Sequence, residues 1–125
     1  MRVSAAVLGA SDANALAAFY ERLLGWTVVD EVSGWVRLRQ PTGDPQAPGL
    51  SFAQEPHYVA PVWPAAPGEQ QMMVHLDIAV EDLDEGVAWA TKCGATVTDY
   101  QPQEDVRVML DPAGHPFCLF GEPPT

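Results

Sequence analysis

A histidine and an aspartate lie two positions apart, at His75 and Asp77, within the apolar stretch 73–80. If this stretch is a strand, both side chains share the face opposite Leu76, Ile78 and Val80. A histidine that acts as a general base needs an orienting partner, and about 7 Å along a strand is a marginal separation for a direct pair. We therefore interpret His75 as a polar residue that hydrogen-bonds a ligand or water. A catalytic dyad with Asp77 is the alternative.

The chain has two cysteines, Cys93 and Cys118, which are too few for a disulfide scaffold and match no zinc-finger spacing. Both are predicted to be reduced, buried thiols. In the stretch 117–120, strand alternation places Cys118 and Phe120 on one face and the residues between them on the other. Cys118 can therefore face a site, where its thiolate would bind zinc or ferrous iron.

Two amphipathic helices must position these strands. The first is predicted to begin at the capping pair Ser11 and Asp12 and to end at Gly25. The second is predicted to begin at Asp82, with a capping-box glutamate three residues later, and to end at Gly94. The apolar stripes consist of Leu16, Phe19, Tyr20, Leu23 and Leu24 in the first helix and of Leu83, Val87 and Ala90 in the second.

The order of elements is the same in both halves of the chain. Strands are predicted at 3–8, 26–29, 35–39 and 50–53 in the first half and at 73–80, 95–98, 106–110 and 117–120 in the second. The chain is therefore predicted to be one domain, 1–125, made of two strand–helix–strand–strand–strand modules over about 1–54 and 72–121. The proline-rich segment 55–71 is predicted to join them as an extended linker that packs along the sheets.

Composition excludes several classes of function. The chain has 125 residues, 47% of them hydrophobic, and a formal net charge of −11. This charge repels nucleic acid and anionic lipid, and the apolar runs are far shorter than the ~20 residues of a membrane span. There is no phosphate-binding loop, hydrolase elbow or secretory leader. We expect a globular cytoplasmic protein with neither a nucleic-acid nor a membrane partner.

Three segments resemble the vicinal-oxygen-chelate superfamily, which includes glyoxalase I, bleomycin-resistance proteins and extradiol dioxygenases. They are the first helix 17–26 (AAFYERLLGW), the second-module opening 75–84 (HLDIAVEDLD) and the closing hairpin 111–119 (DPAGHPFCL). The resemblance implies an α+β fold in which tandem βαβββ modules form two concave mixed sheets with the helices outside. It also implies a homodimer, because members often close their sites with modules from two chains. The fold carries several chemistries, so the resemblance does not select one.

The resemblance also implies where a metal would lie, because family enzymes hold a divalent ion on the first and last strand of each module. Four residues take those places: Ala6, Ser51, His75 and Cys118. Ala6 has no donor atom, Ser51 is a weak donor, and Cys118 stands where a glutamate is usual. We therefore expect the ordinary metal site to be missing and no cofactor to be bound. The alternative is zinc or iron on His75 and Cys118, supported by Asp77 or His57.

Strand alternation predicts which side chains face the concave side. In the opening strand, Val3, Ala5 and Val7 are predicted to lie under the helix, and Ser4, Ala6 and Leu8 on the concave side.

The same alternation places Trp35, Arg37 and Arg39 on the concave side of the first module. This is either a solvated face or a surface where Arg37 supplies charge to an anionic or carbonyl-bearing ligand and Trp35 stacks on it. The matching positions of the second module are the apolar Val106 and Val108. Together they predict a ligand with a polar end and an apolar body.

Two functions follow from these residues. The first is metal-independent binding of a small organic molecule in the concave sheet. The alternative is a metal-dependent lyase, isomerase or dioxygenase of the vicinal-oxygen-chelate type, with His75 as its catalytic residue. A structural module for a partner protein would instead fill the concave side with its own side chains. The predicted ligand-binding residues are Trp35, Arg37, Ser51, His75, Asp77, Val106, Val108, Cys118 and Phe120.

Overall fold

The same series of five elements occurs twice along the chain. The computed structural model describes residues 1–121. The first series is β1 (Ala5–Ala10), α1 (Ala13–Leu24), β2 (Thr27–Val32), β3 (Trp35–Arg39) and β4 (Gly49–Gln54). The second is β5 (Leu76–Val80), α2 (Leu83–Cys93), β6 (Thr96–Val97), β7 (Val106–Leu110) and β8 (Pro116–Gly121). The predicted repeat of strand, helix and three strands is confirmed.

Each series builds its own four-stranded mixed sheet. The strand orders are β1-β4-β3-β2 and β5-β8-β7-β6, so corresponding strands take corresponding places. In each sheet the first strand pairs in parallel with the last, and the remaining pairs are antiparallel. This is the predicted α+β architecture of two mixed sheets with one helix each.

Helix α1 begins and ends where the sequence predicts. The Asp12 side chain accepts a hydrogen bond from the Ala15 amide at 3.0 Å, which satisfies a free N–H of the first turn. Gly25 ends the helix with φ 68°, a left-handed conformation that glycine adopts without steric cost. The apolar stripe packs on the first sheet, where the Tyr20 ring stacks on Phe52 with centroids 5.6 Å apart.

Helix α2 follows the same design. Asp82 accepts a hydrogen bond from the Glu85 amide at 2.9 Å, and the helix ends before Gly94. Gly86 lets the helix approach β5 closely, since a Cβ at that position would lie 3.0 Å from Val80 Cγ1. In β8, Phe117 and Leu119 are buried, whereas Cys118 and Phe120 on the opposite face of the strand remain partly exposed.

The prediction for the two faces of β1 is wrong. The strand begins two residues later than predicted, and Val7 is 56% exposed whereas Leu8 is 8% exposed. Leu8 pairs in register with Phe52, the residue that Tyr20 of α1 covers, so Leu8 faces the helix. Val7 pairs with Ser51 on the opposite face. Alternation defines two faces of a strand without saying which one is inner, so it does not decide on which side Ala6 and Leu8 lie.

The proline-rich segment 55–71 contains the boundary between two compact units, Met1–Tyr58 and the chain from Val59 onward. The segment is not extended throughout. The Val62 amide donates to the Gln70 carbonyl at 2.9 Å, and a turn with Gly68 at φ 79° lies between them. The Trp63 indole N–H donates to the Tyr100 carbonyl at 3.1 Å, which attaches this part of the segment to its own unit.

The helices of residues 1–121 are too short and too polar to cross a membrane.

Candidate functional site

The parallel pairing of β5 with β8 brings the three chemically active side chains of the second unit together. Asp77 and Cys118 are direct partners in the register, and His75 immediately precedes β5. His75 Nε2 lies 3.0 Å from Asp77 Oδ1. One donor atom from each of His75, Asp77 and Cys118 lies within 4.8 Å of the others. We call these three residues the His–Asp–Cys cluster.

His75 and Asp77 make the direct contact that the strand spacing predicted to be marginal. Strand spacing fixes the separation of the backbone positions, but strand side chains lean along the chain direction, and an imidazole and a carboxylate together span the distance. Both side chains are partly exposed, at 37% for His75 and 63% for Asp77.

A hollow of about 500 Å³ opens beside the cluster and is called the second-sheet hollow. It is lined by His75, Asp77, Gln103, Asp105, Val106, Cys118, Phe120 and Gly121. Its volume lies within the ~300–1,000 Å³ range of small-molecule sites. Its wall is polar on the cluster side and apolar at Val106 and Phe120.

The charge of the second-sheet hollow is negative. Asp77 and Asp105 contribute carboxylates, and no lysine or arginine belongs to the residues that line it within the described chain. Burial, the charge of Asp77 and a hydrogen bond to that carboxylate raise the pKa of the Cys118 thiol above its ordinary value. Cys118 is therefore a protonated thiol near neutral pH and a weak nucleophile.

Most of the predicted residues of the second module meet in this hollow. Val106 and Phe120 are direct partners in the β7–β8 register. Val108 shares their face as the partner of Cys118, but it is 4% exposed and does not line the hollow. Gln103 and Asp105 were missed because they lie in the loop before β7, where no periodic pattern signals a side-chain direction.

The predicted residues of the first module lie around a different and smaller cavity. A hollow of about 60 Å³, the first-sheet hollow, has Arg2, Ser4, Arg37, Arg39 and Ser51 among its lining residues. Arg37 and Ser51 are direct partners in the β3–β4 register, which confirms that they share a face. Trp35, which pairs with Ala53, does not line this hollow.

The metal chemistry implied by the family fits the second module only in part. An imidazole nitrogen, a carboxylate oxygen and a thiol sulfur suit zinc or ferrous iron better than magnesium. In the first module, Ser51 and its register partner Val7 provide at most one weak donor. His57 is not part of the cluster. The residues present fit a metal site with three donors, all from the second module. They do not fit a metal site whose ligands come from both modules.

Residues 5–120 match the family model of the glyoxalase-like domain, and the chain belongs to this family. Its fold and its pair of βαβββ modules are those of the glyoxalase, bleomycin-resistance and dioxygenase proteins, the vicinal-oxygen-chelate superfamily.

Several solved structures have the same fold. A glyoxalase/bleomycin resistance protein/dioxygenase family enzyme from Burkholderia phytofirmans PsJN is 18% identical, with a TM-score of 0.68 over 97% of this chain and 98% of the other. An antibiotic binding protein, TnmS3, from Streptomyces sp. CB03234 is 18% identical, with a TM-score of 0.63 over 98% and 97%. Lactoylglutathione lyase from Agrobacterium tumefaciens is 19% identical, with a TM-score of 0.61 over 95% and 92%.

At these identities the similarity shows a shared fold and does not show the activity. The activity must be argued from the residues of the site. No curated protein matches the chain significantly.

Proposed function

We propose that the protein binds a small organic molecule in the second-sheet hollow without a metal ion. The ligand presents a cation or hydrogen-bond donors to Asp77 and Asp105 and an apolar or aromatic part to Val106 and Phe120. The observation that carries this proposal is the combination of two carboxylates and a histidine with an apolar wall in one cavity of about 500 Å³.

Charge favours a cationic ligand over an anionic one. The chain carries a formal net charge of −11, and the hollow adds two local carboxylates. A desolvated charge pair or a hydrogen bond to a charged group is stronger than a neutral hydrogen bond. Asp77 and Asp105 therefore select the charge of the ligand, and the apolar wall contributes affinity through buried area.

In its neutral form, His75 contributes a hydrogen-bond acceptor in this proposal. Nε2 lies 3.0 Å from the Asp77 carboxylate. The neutral imidazole therefore carries its hydrogen on Nε2, and this N–H donates a hydrogen bond to Asp77. Nδ1 is then an acceptor for a ligand N–H or O–H. A protein of the same fold from Streptomyces is an antibiotic binding protein, which supports a small-molecule ligand for this fold.

Calorimetric titration with three probes of one shape tests the proposal: 9-aminoacridine, which is a cation, neutral acridone, and acridine-9-carboxylate. We expect the cation to bind most tightly and Asp77→Asn to weaken it by about tenfold, the value of one hydrogen bond to a charged group. Asp99→Asn is the matched control, because it removes the same charge from an exposed position outside the hollow. Absence of binding, or equal affinity for the three probes, contradicts the proposal.

The His–Asp–Cys cluster favours a second candidate function, a metal-dependent lyase, isomerase or dioxygenase. His75, Asp77 and Cys118 would hold the ion, and their donor atoms lie within 4.8 Å of one another. A bound zinc or ferrous ion would supply a Lewis acid that polarises a carbonyl oxygen of the substrate. The retained proton of the Cys118 thiol opposes this function, since a metal binds the thiolate. The metal content of the purified protein separates the two candidate functions.

We propose that this chain forms a homodimer, in which its partner is a second copy of itself. Two valines on or beside the first sheet, Val7 and Val29, are 56% and 46% exposed in the single chain. A second copy would cover such residues at an interface. Light scattering after size exclusion tests this: a mass of twice 13.5 kDa supports the dimer, and a monomer mass contradicts it.

A further inference from the structure

We propose that the first-sheet hollow is a second binding site, which takes an oxyanion: phosphate, sulfate or a carboxylate group. Its ligating groups are the guanidinium groups of Arg2, Arg37 and Arg39 and the hydroxyl of Ser51. The proposal goes beyond ligand binding in the second-sheet hollow, because this cavity lies on the other sheet and has the opposite charge.

The distribution of positive charge is the first observation. The chain has six lysines and arginines against 17 aspartates and glutamates. Three of those six, Arg2, Arg37 and Arg39, line one small cavity. Arg37 and Arg39 are two positions apart on β3 and therefore lie on the same face. The chain as a whole is acidic, but the surface around this cavity is positively charged.

The second observation is that the guanidinium groups of Arg2, Arg37 and Arg39 have no partner among the described residues. Within residues 1–121, none of the three guanidinium groups lies within 4.0 Å of a carboxylate oxygen or donates a hydrogen bond. Asp30 is the β2 register partner of Arg37, and even this pair forms no ion pair.

Ser51 adds a buried donor to the same cavity. The residue is 4% exposed, and no side-chain oxygen of the described residues is both fully buried and without a partner, so the Ser51 hydroxyl remains in contact with solvent. Directly opposite partners on neighbouring strands have Cβ atoms about 5 Å apart, so Arg37 and Ser51 can contact one bound group together. The hydroxyl can therefore donate a hydrogen bond to an anion that enters the cavity.

The size of the cavity limits what it holds. Its volume of about 60 Å³ is well below the ~300 Å³ at which small-molecule pockets begin, so it accommodates an anionic group rather than a whole organic ligand. The group is either a free inorganic anion or the acidic end of a larger molecule. The net charge of the protein does not prevent binding, because distant carboxylates are screened beyond about 8 Å at physiological ionic strength.

A nuclear magnetic resonance titration of the whole protein with inorganic phosphate tests the site, followed at the Arg37 Nε–H and the Ser51 amide. We expect both signals to shift saturably with phosphate and not with the same ionic strength of chloride. Parallel titrations with phenyl phosphate and benzoate distinguish the source of the group. Tighter binding of the organic acids identifies the acidic end of a larger ligand, and tighter binding of phosphate identifies a free anion.

Three variants make the test specific. Arg37→Gln should weaken phosphate binding by about tenfold, the effect of one lost charge-assisted hydrogen bond. Lys92→Gln, which removes the same charge from an exposed residue of α2, should change it by less than about twofold. Asp30→Asn should tighten binding, because it removes the carboxylate beside Arg37.

The wild-type titration does not depend on the folding of any variant. Unmoved Arg37 and Ser51 signals overturn the proposal. Equal weakening by Arg37→Gln and Lys92→Gln also overturns it, because the binding would then reflect the net charge of the protein rather than a site.

Discussion

The carboxylate of Asp77 is shared between His75 and Cys118. Its Oδ1 lies 3.0 Å from His75 Nε2, and burial together with the charge of the same carboxylate raises the pKa of the thiol of Cys118, its register partner on β8. One acidic residue thus contacts the imidazole and adds to the effect of burial that keeps the thiol protonated. The cluster is more readily explained as a polar wall than as a nucleophilic pair, because the aspartate opposes formation of the thiolate.

His75→Ala should weaken binding of 9-aminoacridine by about two- to tenfold, because it removes one neutral acceptor whose hydrogen bond contributes about 0.5–1.5 kcal/mol. Isothermal calorimetry measures the change. His57→Ala, at an exposed position outside the second-sheet hollow, is the control and should leave the affinity unaltered. A loss of a hundredfold or more from His75→Ala would exceed one neutral hydrogen bond and would contradict the proposed role.

Cys118 should react slowly with iodoacetamide near neutral pH, because its raised pKa leaves little thiolate. Asp77→Asn removes the charge that helps to raise the pKa, so the pH at which the rate levels off should fall. Below the pKa, the gain in thiolate outweighs the accompanying loss of nucleophilicity, because the rate depends on the pKa of the thiol with a Brønsted coefficient of only about 0.4–0.5, and the rate should therefore rise.

The alkylation is measured by mass spectrometry in a Cys93→Ser background, so that one thiol is followed. Asp99→Asn serves as the control for a general change of charge. Equal rates for the wild type, Asp77→Asn and Asp99→Asn would show that Asp77 does not control the thiol.

The sequence predicted the helices and the second-module cluster for identifiable reasons. Aspartate caps at Asp12 and Asp82 and glycine stops at Gly25 and Gly94 are local signals, and local interactions form them in the structure. Strand alternation predicted that Asp77 and Cys118 share a face, since burial of the opposite face against α2 fixes the register.

The features that the sequence could not predict depend on distant contacts. Ala5 and Ala6 give no signal of the inner face of β1, and the pairing of Leu8 with Phe52 decides it. Asp105 reaches the second-sheet hollow from an irregular loop, where neither helical nor strand periodicity applies. The contact of His75 with Asp77 depends on side-chain direction, which residue spacing does not specify.

Metal content should be well below one ion per chain in untagged protein purified without chelator. This expectation follows from the protonated Cys118 thiol and from the lack of strong donors at Ser51 and Val7. Elemental analysis for zinc, iron, nickel and manganese is the measurement, with Cys118→Ser and His75→Ala alongside and Cys93→Ser as the control. About one ion per chain that is lost in the first two variants and retained in the control would favour the metal-dependent enzyme.

Asp111 should stabilise the turn between β7 and β8. The residue is 4% exposed, and its Oδ1 accepts hydrogen bonds from the amides of Ala113 at 3.0 Å and His115 at 2.9 Å. Asp111→Ala leaves both amides without this acceptor in a partly buried turn, so the free energy of unfolding should fall by about 1–3 kcal/mol. Asp111→Asn, which retains a side-chain oxygen, should lower the free energy of unfolding by less than Asp111→Ala does.

Urea denaturation followed by circular dichroism measures these changes. Asp44→Ala is the matched control, because the Asp44 Oδ1 accepts from the Gln46 amide at 2.9 Å in an exposed turn, where water can replace the lost acceptor. Its effect should remain within about 0.5 kcal/mol. If Asp111→Ala costs no more than Asp44→Ala, the β7–β8 turn is fixed by its backbone hydrogen bonds, such as that from the Gly114 amide to the Asp111 carbonyl at 2.9 Å, and not by the carboxylate.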